Sequence, residues 1–194
     1  MIHVPFTFRP LDKFRELILI EALTFQDERG WFRENYKGSD FAEHGIDCDF
    51  PQDNTSYSKS RGTIRGLHFQ KAPQGQGKLV TCLGGEVYDV TVDIRIGSPS
   101  YAGWAAVLLS AENHRALWVP EGFAHGFQTL KDHSVVAYKV TREYSRVSER
   151  SVIWNDPELN IAWPIAKPIL SKKDAAAPKL RDVDNNYEWR GVDR

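Results

Sequence analysis

The hydrophobic pattern of this chain repeats every second residue over short segments, and no other feature constrains its fold as strongly. The clearest case runs from Tyr88 to Arg95, where the even-numbered residues are apolar and most of the odd-numbered residues are charged. Side chains that alternate in this way point to opposite faces of a β-strand. The pattern therefore predicts a fold made mainly of strands.

Similar short segments recur along the chain, rich in β-branched and aromatic residues and separated by Gly, Pro, Asn and Ser. They lie at 17–23, 62–69, 78–83, 85–96, 104–109, 116–119, 125–130 and 135–141. Helical signals are limited to short turns at 39–45 and 172–177. Many short strands with almost no helix predict an all-β sandwich or barrel. The first 50 residues and the tail after Trp163 are predicted to extend this core as an N-terminal strand extension and short C-terminal helices.

Length and composition exclude several classes of protein. A chain of 194 residues can bury a full core in a single domain, so we expect one domain over 1–194. The formal net charge of −1 gives no electrostatic reason to expect a nucleic acid or an anionic membrane as partner. Cys48 and Cys82 form no CxxC pair, and no apolar run approaches the roughly 20 residues that span a bilayer. We therefore expect a soluble, cytoplasmic protein.

One segment combines groups that suit proton-transfer chemistry. Arg65-Gly-Leu-His68, followed by Lys78, brings a guanidinium, an imidazole and an ammonium into one strand-turn-strand unit. Two cations beside a possible base are typical of a site that binds an anion and stabilises negative charge while a proton is removed. Each residue alone also has a structural interpretation, because a lone strand histidine is usually a hydrogen-bonded core residue.

A second motif indicates the type of barrel. The run from Pro120 through Gly122 to His125 has the spacing P-x-G-x-x-H, which is the second box of cupin-type jelly rolls. Metal-binding cupins add a His-x-His pair and a glutamate in a first box, and here His68 has no such partner. One or two histidines do not complete a stable divalent site without further ligands. We therefore predict a cupin-like jelly roll that binds no metal.

These motifs, with others, resemble the dTDP-4-dehydrorhamnose 3,5-epimerase family of cupin-like enzymes. The resemblance covers about residues 15–180. The matching stretches are 27–34, 52–54, 65–68, 76–80, 88–95, 120–127, 154–156 and 171–174, together with Tyr138. Such enzymes convert dTDP-4-dehydro-6-deoxy-D-glucose to dTDP-4-dehydro-L-rhamnose, which implies a nucleotide-sugar substrate and a place in dTDP-L-rhamnose synthesis.

The resemblance implies a role for each catalytic residue. His68 is expected to be the general base, oriented by Asp174, and Lys78 the cation that stabilises the enolate oxygen at C4. Tyr138 is expected to be the general acid on the opposite face of the sugar. A phenol suits this role because it holds its proton at neutral pH yet can give it to a carbanion. No cofactor is expected.

The resemblance also implies a substrate-binding set and a dimer. Arg29 is expected to reach the site from the neighbouring subunit of a homodimer. His125 is expected to contact the substrate, although it could equally hold its turn together. Asp89 could orient His125, but a solvated or ion-paired aspartate is the alternative, so Asp89 and Asp93 are placed outside the site. The full predicted binding set is Arg29, Glu34, Gln52, Asp53, Asn54, Arg65, His125, Glu149 and Lys173.

Other functions remain open at this point. The nearest is an epimerase that inverts only C3 or only C5 for a specialised deoxysugar, using the same base and acid. A metal-dependent cupin isomerase or dioxygenase is more distant. A non-catalytic sugar-binding jelly roll is the third, but it has no need for a base, an enolate-stabilising cation and an acid together.

Overall fold

The structure is a computed structural model that describes residues 5–191. In chain order its elements are β1 (Phe6–Pro10), β2 (Ile18–Ala22), β3 (Thr24–Asp27), β4 (Gly30–Arg33), α1 (Gly38–Glu43), β5 (Gln52–Ser58), β6 (Ile64–Gln70), β7 (Lys78–Gly84), β8 (Glu86–Asp93), β9 (Trp104–Ser110), β10 (Arg115–Val119), β11 (Phe123–Thr129), β12 (Ser134–Val140), β13 (Glu149–Ser151), α2 (Lys172–Ala175) and a 3-10 helix (Leu180–Asp182). Within residues 5–191, no helix is long and apolar enough to cross a bilayer.

Most strands form two sheets that pack face to face. One has six strands in the order β1-β2-β10-β7-β12-β5, and the other has five in the order β13-β6-β11-β8-β9. Strands β3 and β4 form a separate hairpin. The main core cluster joins both sheets, because it contains Val80 and Leu117 from the first and Val87 and Phe127 from the second. The predicted all-β sandwich with an N-terminal strand extension and short C-terminal helices is confirmed.

Strand β8 is buried on both of its faces. Its even-numbered apolar residues, Tyr88, Val90 and Val92, pack in a second core cluster with the C-terminal segment, including Leu159 and Leu180. Its odd face carries polar side chains, yet Asp89, Thr91 and Asp93 are at most 1% exposed. The alternation thus identified two faces correctly, and the polar face lies inside the protein.

The hydrophobic pattern of the sequence does not predict strand β5, because almost all of its residues are polar. It is the edge strand of the six-stranded sheet and pairs with β12. Its residues alternate between partly buried and exposed, so one polar row faces inward. This inward row is part of the candidate site.

Strands β6 and β11 approach each other closely at two facing glycines beside the histidines. A Cβ atom on Gly66 would lie 2.6 Å from the Cα of Gly126, and one on Gly126 would lie 2.7 Å from the carbonyl oxygen of Arg65. The pairing register shifts between His125 and Phe127, as at a β-bulge. Small residues are therefore required where the strands that carry both histidines meet.

Replacing Gly126 with alanine should destabilise the fold, because the added methyl group meets backbone atoms that have no free space to move into. We expect the free energy of unfolding to fall by about 1–3 kcal/mol, the usual cost of overpacking. Urea unfolding followed by tryptophan fluorescence measures this change. The control is Gly38→Ala, since a Cβ there would lie 3.4 Å from its nearest neighbour, the Tyr36 hydroxyl. Equal stability of the Gly126→Ala variant and the wild type would contradict this account.

Candidate active site

The candidate site is a cavity of about 320 Å³ between the two sheets. His68 on β6 lies directly opposite His125 on β11, so both side chains point to the same face of the five-stranded sheet. The residues that line the cavity are Gln52, Asn54, Ser56, Arg65, His68, Phe69, Gln70, Gln76, Lys78, His125, Phe127, Tyr138, Tyr144, Glu149, Ser171, Lys173 and Asp174.

His68 and Asp174 form a hydrogen-bonded dyad. The Nε2 atom of His68 lies 2.6 Å from Oδ1 of Asp174. Ser171 caps α2 by accepting a hydrogen bond from the Asp174 backbone N–H at 3.0 Å, and its hydroxyl donates to Oδ2 at 2.8 Å. Both carboxylate oxygens are therefore held in place.

The ionisation of Asp174 determines which nitrogen of His68 can act as a base. Burial opposes ionisation, but hydrogen bonds from His68 and Ser171 outweigh it and hold the pKa of Asp174 below its ordinary value. An ionised carboxylate only accepts hydrogen bonds, so Nε2 of His68 carries the proton. The lone pair of the neutral imidazole is then on Nδ1, which is the atom available to remove a proton from a substrate.

Lys78 places a buried cation beside this dyad. The residue is 8% exposed, and its Nζ donates a hydrogen bond to the carbonyl oxygen of His68 at 3.1 Å. Burial lowers the pKa of Lys78 to about 8, against the opposing influence of Asp89 and Glu149. The side chain is thus mostly charged at neutral pH, in a position to stabilise an anion that forms near His68.

Tyr138 lines the same cavity from the other sheet. It lies on β12 of the six-stranded sheet, whereas His68 lies on β6 of the five-stranded sheet. Burial is the main cause that raises the pKa of Tyr138 above its ordinary value, so its phenol keeps its proton at neutral pH. An imidazole and a protonated phenol therefore reach the cavity from opposite walls.

His125 is held by Asp89. Its Nε2 lies 2.9 Å from both carboxylate oxygens of Asp89, and both residues are buried. The sequence interpretation left Asp89 outside the site, but this contact shows that it orients His125 toward the cavity. Asp93, by contrast, accepts hydrogen bonds from Arg95 and Ser98 and does not line the cavity.

Comparison with known proteins decides the family. The family model described as dTDP-4-dehydrorhamnose 3,5-epimerase matches residues 12–182. The chain belongs to this family. A relative with the same description from Salmonella typhimurium strain LT2 is 52% identical over 167 residues, which cover 85% of this chain and 91% of the relative. One from Shigella flexneri is 48% identical over 170 residues, which cover 87% and 93%.

A solved structure of another family member shows the same architecture. The Legionella pneumophila epimerase, solved in complex with dTDP-4-keto-L-rhamnose, is 46% identical to this chain. The superposition has a TM-score of 0.88 and covers 92% of this chain and 95% of the other. The resemblance to the epimerase family that the sequence motifs indicate is therefore confirmed at the level of sequence and of fold.

Several predicted binding residues of this epimerase-family chain converge on the cavity. Gln52 and Asn54 point inward from β5 and share a hydrogen bond of 2.7 Å. Arg65 stands at the rim, where its Nε donates to the Ser58 hydroxyl at 3.1 Å and its Nη2 to the Tyr57 carbonyl at 2.9 Å. The guanidinium is thereby held in one orientation beside the cavity.

Glu149 and Lys173 form the wall nearest α2. Lys173 Nζ lies 2.5 Å from Glu149 Oε1, and the Tyr144 hydroxyl donates to Oε2 at 2.9 Å. Burial would raise the pKa of Glu149, but the hydrogen bonds from Lys173 and Tyr144 outweigh it and lower this pKa. The wall therefore presents an ionised carboxylate that is already paired.

Three predicted binding residues do not line the cavity of the single chain. Asp53 lies on β5 between two inward residues, so it points to the other face and pairs with Lys139 at 2.9 Å. Arg29 stands at the turn of the β3–β4 hairpin, where it pairs with Asp27 and its side chain is 85% exposed. Glu34 follows the same hairpin. A role for Arg29 in the site of a neighbouring subunit stays a prediction, and so does substrate binding by Glu34.

The sequence interpretation also missed residues that line the cavity. Ser56 continues the inward row of Gln52 and Asn54, and the period-two pattern of this strand could have identified it. Tyr144 comes from a loop and is held by a hydrogen bond from its backbone N–H to Gln52 Oε1 at 2.8 Å. No local pattern in the sequence marks a loop residue of this kind.

Proposed function

We propose that the chain catalyses epimerisation of dTDP-4-dehydro-6-deoxy-D-glucose at C3 and C5 to dTDP-4-dehydro-L-rhamnose, within dTDP-L-rhamnose synthesis for cell-surface polysaccharide. The observation that carries the proposal is the arrangement of three groups around one cavity. The His68–Asp174 dyad lies on one wall and Tyr138 on the other, with the buried Lys78 beside the dyad. Family membership supports the same reaction.

The proposed chemistry follows from the ketone at C4, which acidifies the hydrogens on C3 and C5. Nδ1 of His68 removes the proton, and the bonding electrons move to the carbonyl oxygen to give an enolate. The ammonium of Lys78 stabilises this oxygen. The phenol of Tyr138 then gives a proton to the carbon from the opposite face, which inverts the centre. Exchange with solvent restores the imidazole and the phenol, so no redox cofactor or metal takes part.

The binding half of the cavity suits a nucleotide diphosphate. A guanidinium provides paired N–H donors for phosphate oxygens, and Arg65 offers one at the rim. Gln52 and Asn54 supply amide donors and acceptors on the same side. The Legionella relative, which is solved with dTDP-4-keto-L-rhamnose, supports a ligand of this class here.

We further propose a homodimer in which the β3–β4 hairpin of one subunit completes the site of the other. The hairpin exposes three large aromatic side chains, since Phe25 is 40%, Trp31 54% and Phe32 66% exposed. Burial of these rings against a second subunit would bring Arg29 and Glu34 toward a neighbouring cavity. A cytoplasmic location is also proposed, in line with the free thiols of Cys48 and Cys82.

The direct test is to incubate the protein with dTDP-4-dehydro-6-deoxy-D-glucose and identify the product by NMR. The proposal expects a 4-keto sugar inverted at both C3 and C5. A product inverted at one carbon would instead assign the chain to single-centre epimerisation. Unchanged substrate would reject epimerase activity and favour a sugar-binding role.

Replacing Tyr138 with phenylalanine should separate proton removal from inversion. The variant keeps the ring but lacks the proton donor, so His68 can still form the enolate and return the proton to the same face. We expect epimerisation to fall by about 10²-fold, within the range of general acid catalysis, while solvent deuterium still enters the substrate. Mass spectrometry of recovered substrate measures this exchange. Wild-type rates of inversion would contradict the role of Tyr138.

A further inference from the structure

Gln70, the last residue of β6, has a buried amide whose hydrogen-bonding groups are all engaged. The residue is 3% exposed. Its Nε2 donates to the carbonyl oxygens of Gln74 at 2.6 Å and Glu143 at 3.3 Å. Its Oε1 accepts from the backbone N–H of Ser145 at 2.6 Å. The side chain is therefore fixed by protein groups on every polar side.

These partners belong to two different loops that border the candidate site. The loop 71–77 carries Gln76 and leads directly into Lys78, while the loop 141–148 carries Tyr144 and leads into Glu149. The amide of Gln70 bridges both loops. Its backbone is fixed as well, because its carbonyl oxygen accepts a hydrogen bond from the Tyr187 hydroxyl at 2.9 Å.

Four other hydrogen bonds join the two loops, and they lie toward the loop ends. The Lys71 backbone N–H donates to the Ser148 carbonyl at 2.9 Å at one end. At the other end the Gln76 side chain donates to the Arg142 carbonyl at 2.7 Å, and Gly77 and Thr141 exchange two bonds, at 2.8 and 3.1 Å. Between these ends, the buried amide of Gln70 contacts Gln74, Glu143 and Ser145. Loss of this amide should leave the loop ends joined but free the middle of loop 141–148 to move.

We propose that Gln70 is a positioning residue that holds the Lys78 side and the Tyr144–Glu149 side of the cavity in register for the nucleotide-sugar. The inference rests on the proposed function. It concerns substrate affinity more than chemistry, because the His68–Asp174 dyad does not depend on either loop and Lys78 is held in β7 by its pairing with β10 and β12. Only glutamine combines two N–H donors and an acceptor at this reach, since glutamate offers acceptors alone when ionised and methionine offers no donor.

The test compares Gln70→Met with a matched variant, Gln128→Met. Gln128 is also fully buried, and its amide also donates to a carbonyl, that of Ile165 at 2.8 Å, and accepts from the Ile165 backbone N–H at 2.9 Å. It does not line the cavity. Both variants lose a buried amide, so a general loss of stability affects both alike.

We expect Gln70→Met to raise KM about ten-fold with kcat changed less than about three-fold, whereas Gln128→Met leaves KM unchanged. Without substrate, hydrogen exchange measured by mass spectrometry should accelerate in 141–148 of Gln70→Met and stay unchanged in β8. Unchanged KM together with unchanged exchange would overturn the proposal.

Two further measures keep the test decisive. If Gln70→Met does not fold, Gln70→Glu has the same size and keeps an acceptor for Ser145 but lacks both donors, and the same changes are expected from it. If the wild type shows no turnover, the proposed function fails. In that case hydrogen-exchange rates in 141–148 and the dissociation constants of dTDP, measured for the wild type and for Gln70→Met, decide whether Gln70 positions the loops.

Discussion

Replacing His68 with alanine should lower kcat/KM for epimerisation by about 10³- to 10⁴-fold, the upper part of the range for general bases. The expectation rests on the dyad geometry. Asp174 accepts a hydrogen bond from Nε2 at 2.6 Å and so leaves the lone pair on Nδ1. His125 is paired with Asp89 in the same way, but its side chain is only 8% exposed, against 30% for His68, so His68 is the imidazole that a substrate reaches more readily. Initial rates with purified dTDP-4-dehydro-6-deoxy-D-glucose measure the loss.

The control for this variant is His44→Ala. His44 is an exposed histidine next to α1 that stacks on Phe8 and does not line the cavity. Its replacement should leave the rate unchanged. Solvent deuterium should also fail to enter the substrate with His68→Ala, since no enolate forms. Exchange at the wild-type rate would show that another group removes the proton.

Replacing Lys78 with methionine should lower kcat by about 10²- to 10³-fold, the usual cost of removing one donor to an oxyanion. Methionine keeps most of the buried volume of lysine but provides no positive charge. The nearby Lys139 gives a matched control, because it lies on the adjacent strand β12 and its side chain pairs with Asp53 away from the cavity. Lys139→Met should retain activity. Equal rates for Lys78→Met and the wild type would contradict the role of Lys78 in stabilising the enolate.

The pH dependence gives an independent test of Lys78. Burial lowers its pKa to about 8, so the ammonium is present below that pH and is lost above it. Activity of the wild type should therefore decline as the pH rises through about 8. Tyr138 does not account for this decline, because burial raises the pKa of its phenol above the ordinary value. The declining limb should be absent from the residual activity of Lys78→Met.

The sequence predicts the fold well because the interior strands follow a period of two. Segments such as 78–83 and 135–141 correspond closely to β7 and β12. The pattern fails at β5, where a polar edge strand faces the cavity and has no apolar row to reveal it. It also fails at β3 and β4, whose hairpin stands apart from both sheets. Hydrophobic alternation identifies a strand by the apolar side chains that the strand buries. Strands β3, β4 and β5 bury few apolar side chains within one chain, so the pattern does not identify them.

Sequence motifs predict the catalytic residues of the candidate site but not all of the contacts that hold these residues in place. His68, Lys78, Tyr138 and Asp174 all line one cavity, as the resemblance to the epimerase family implies. The sequence names Asp89 only as a possible partner of His125, because an aspartate that orients a histidine looks the same as any other aspartate on a polar strand face. The burial of Asp89 follows from the packing of β8 between the cavity and the C-terminal segment. Tertiary packing, rather than local pattern, gives this residue its role.

The most direct test of the proposed function is to incubate the wild-type protein with dTDP-4-dehydro-6-deoxy-D-glucose in D2O and follow C3 and C5 by NMR. Deuterium should replace hydrogen at both carbons, and the recovered product should be inverted at both. Exchange at a single carbon would restrict the activity to one centre. Retention of hydrogen at both carbons would contradict the claim that this cavity forms an enolate from the C4 ketone.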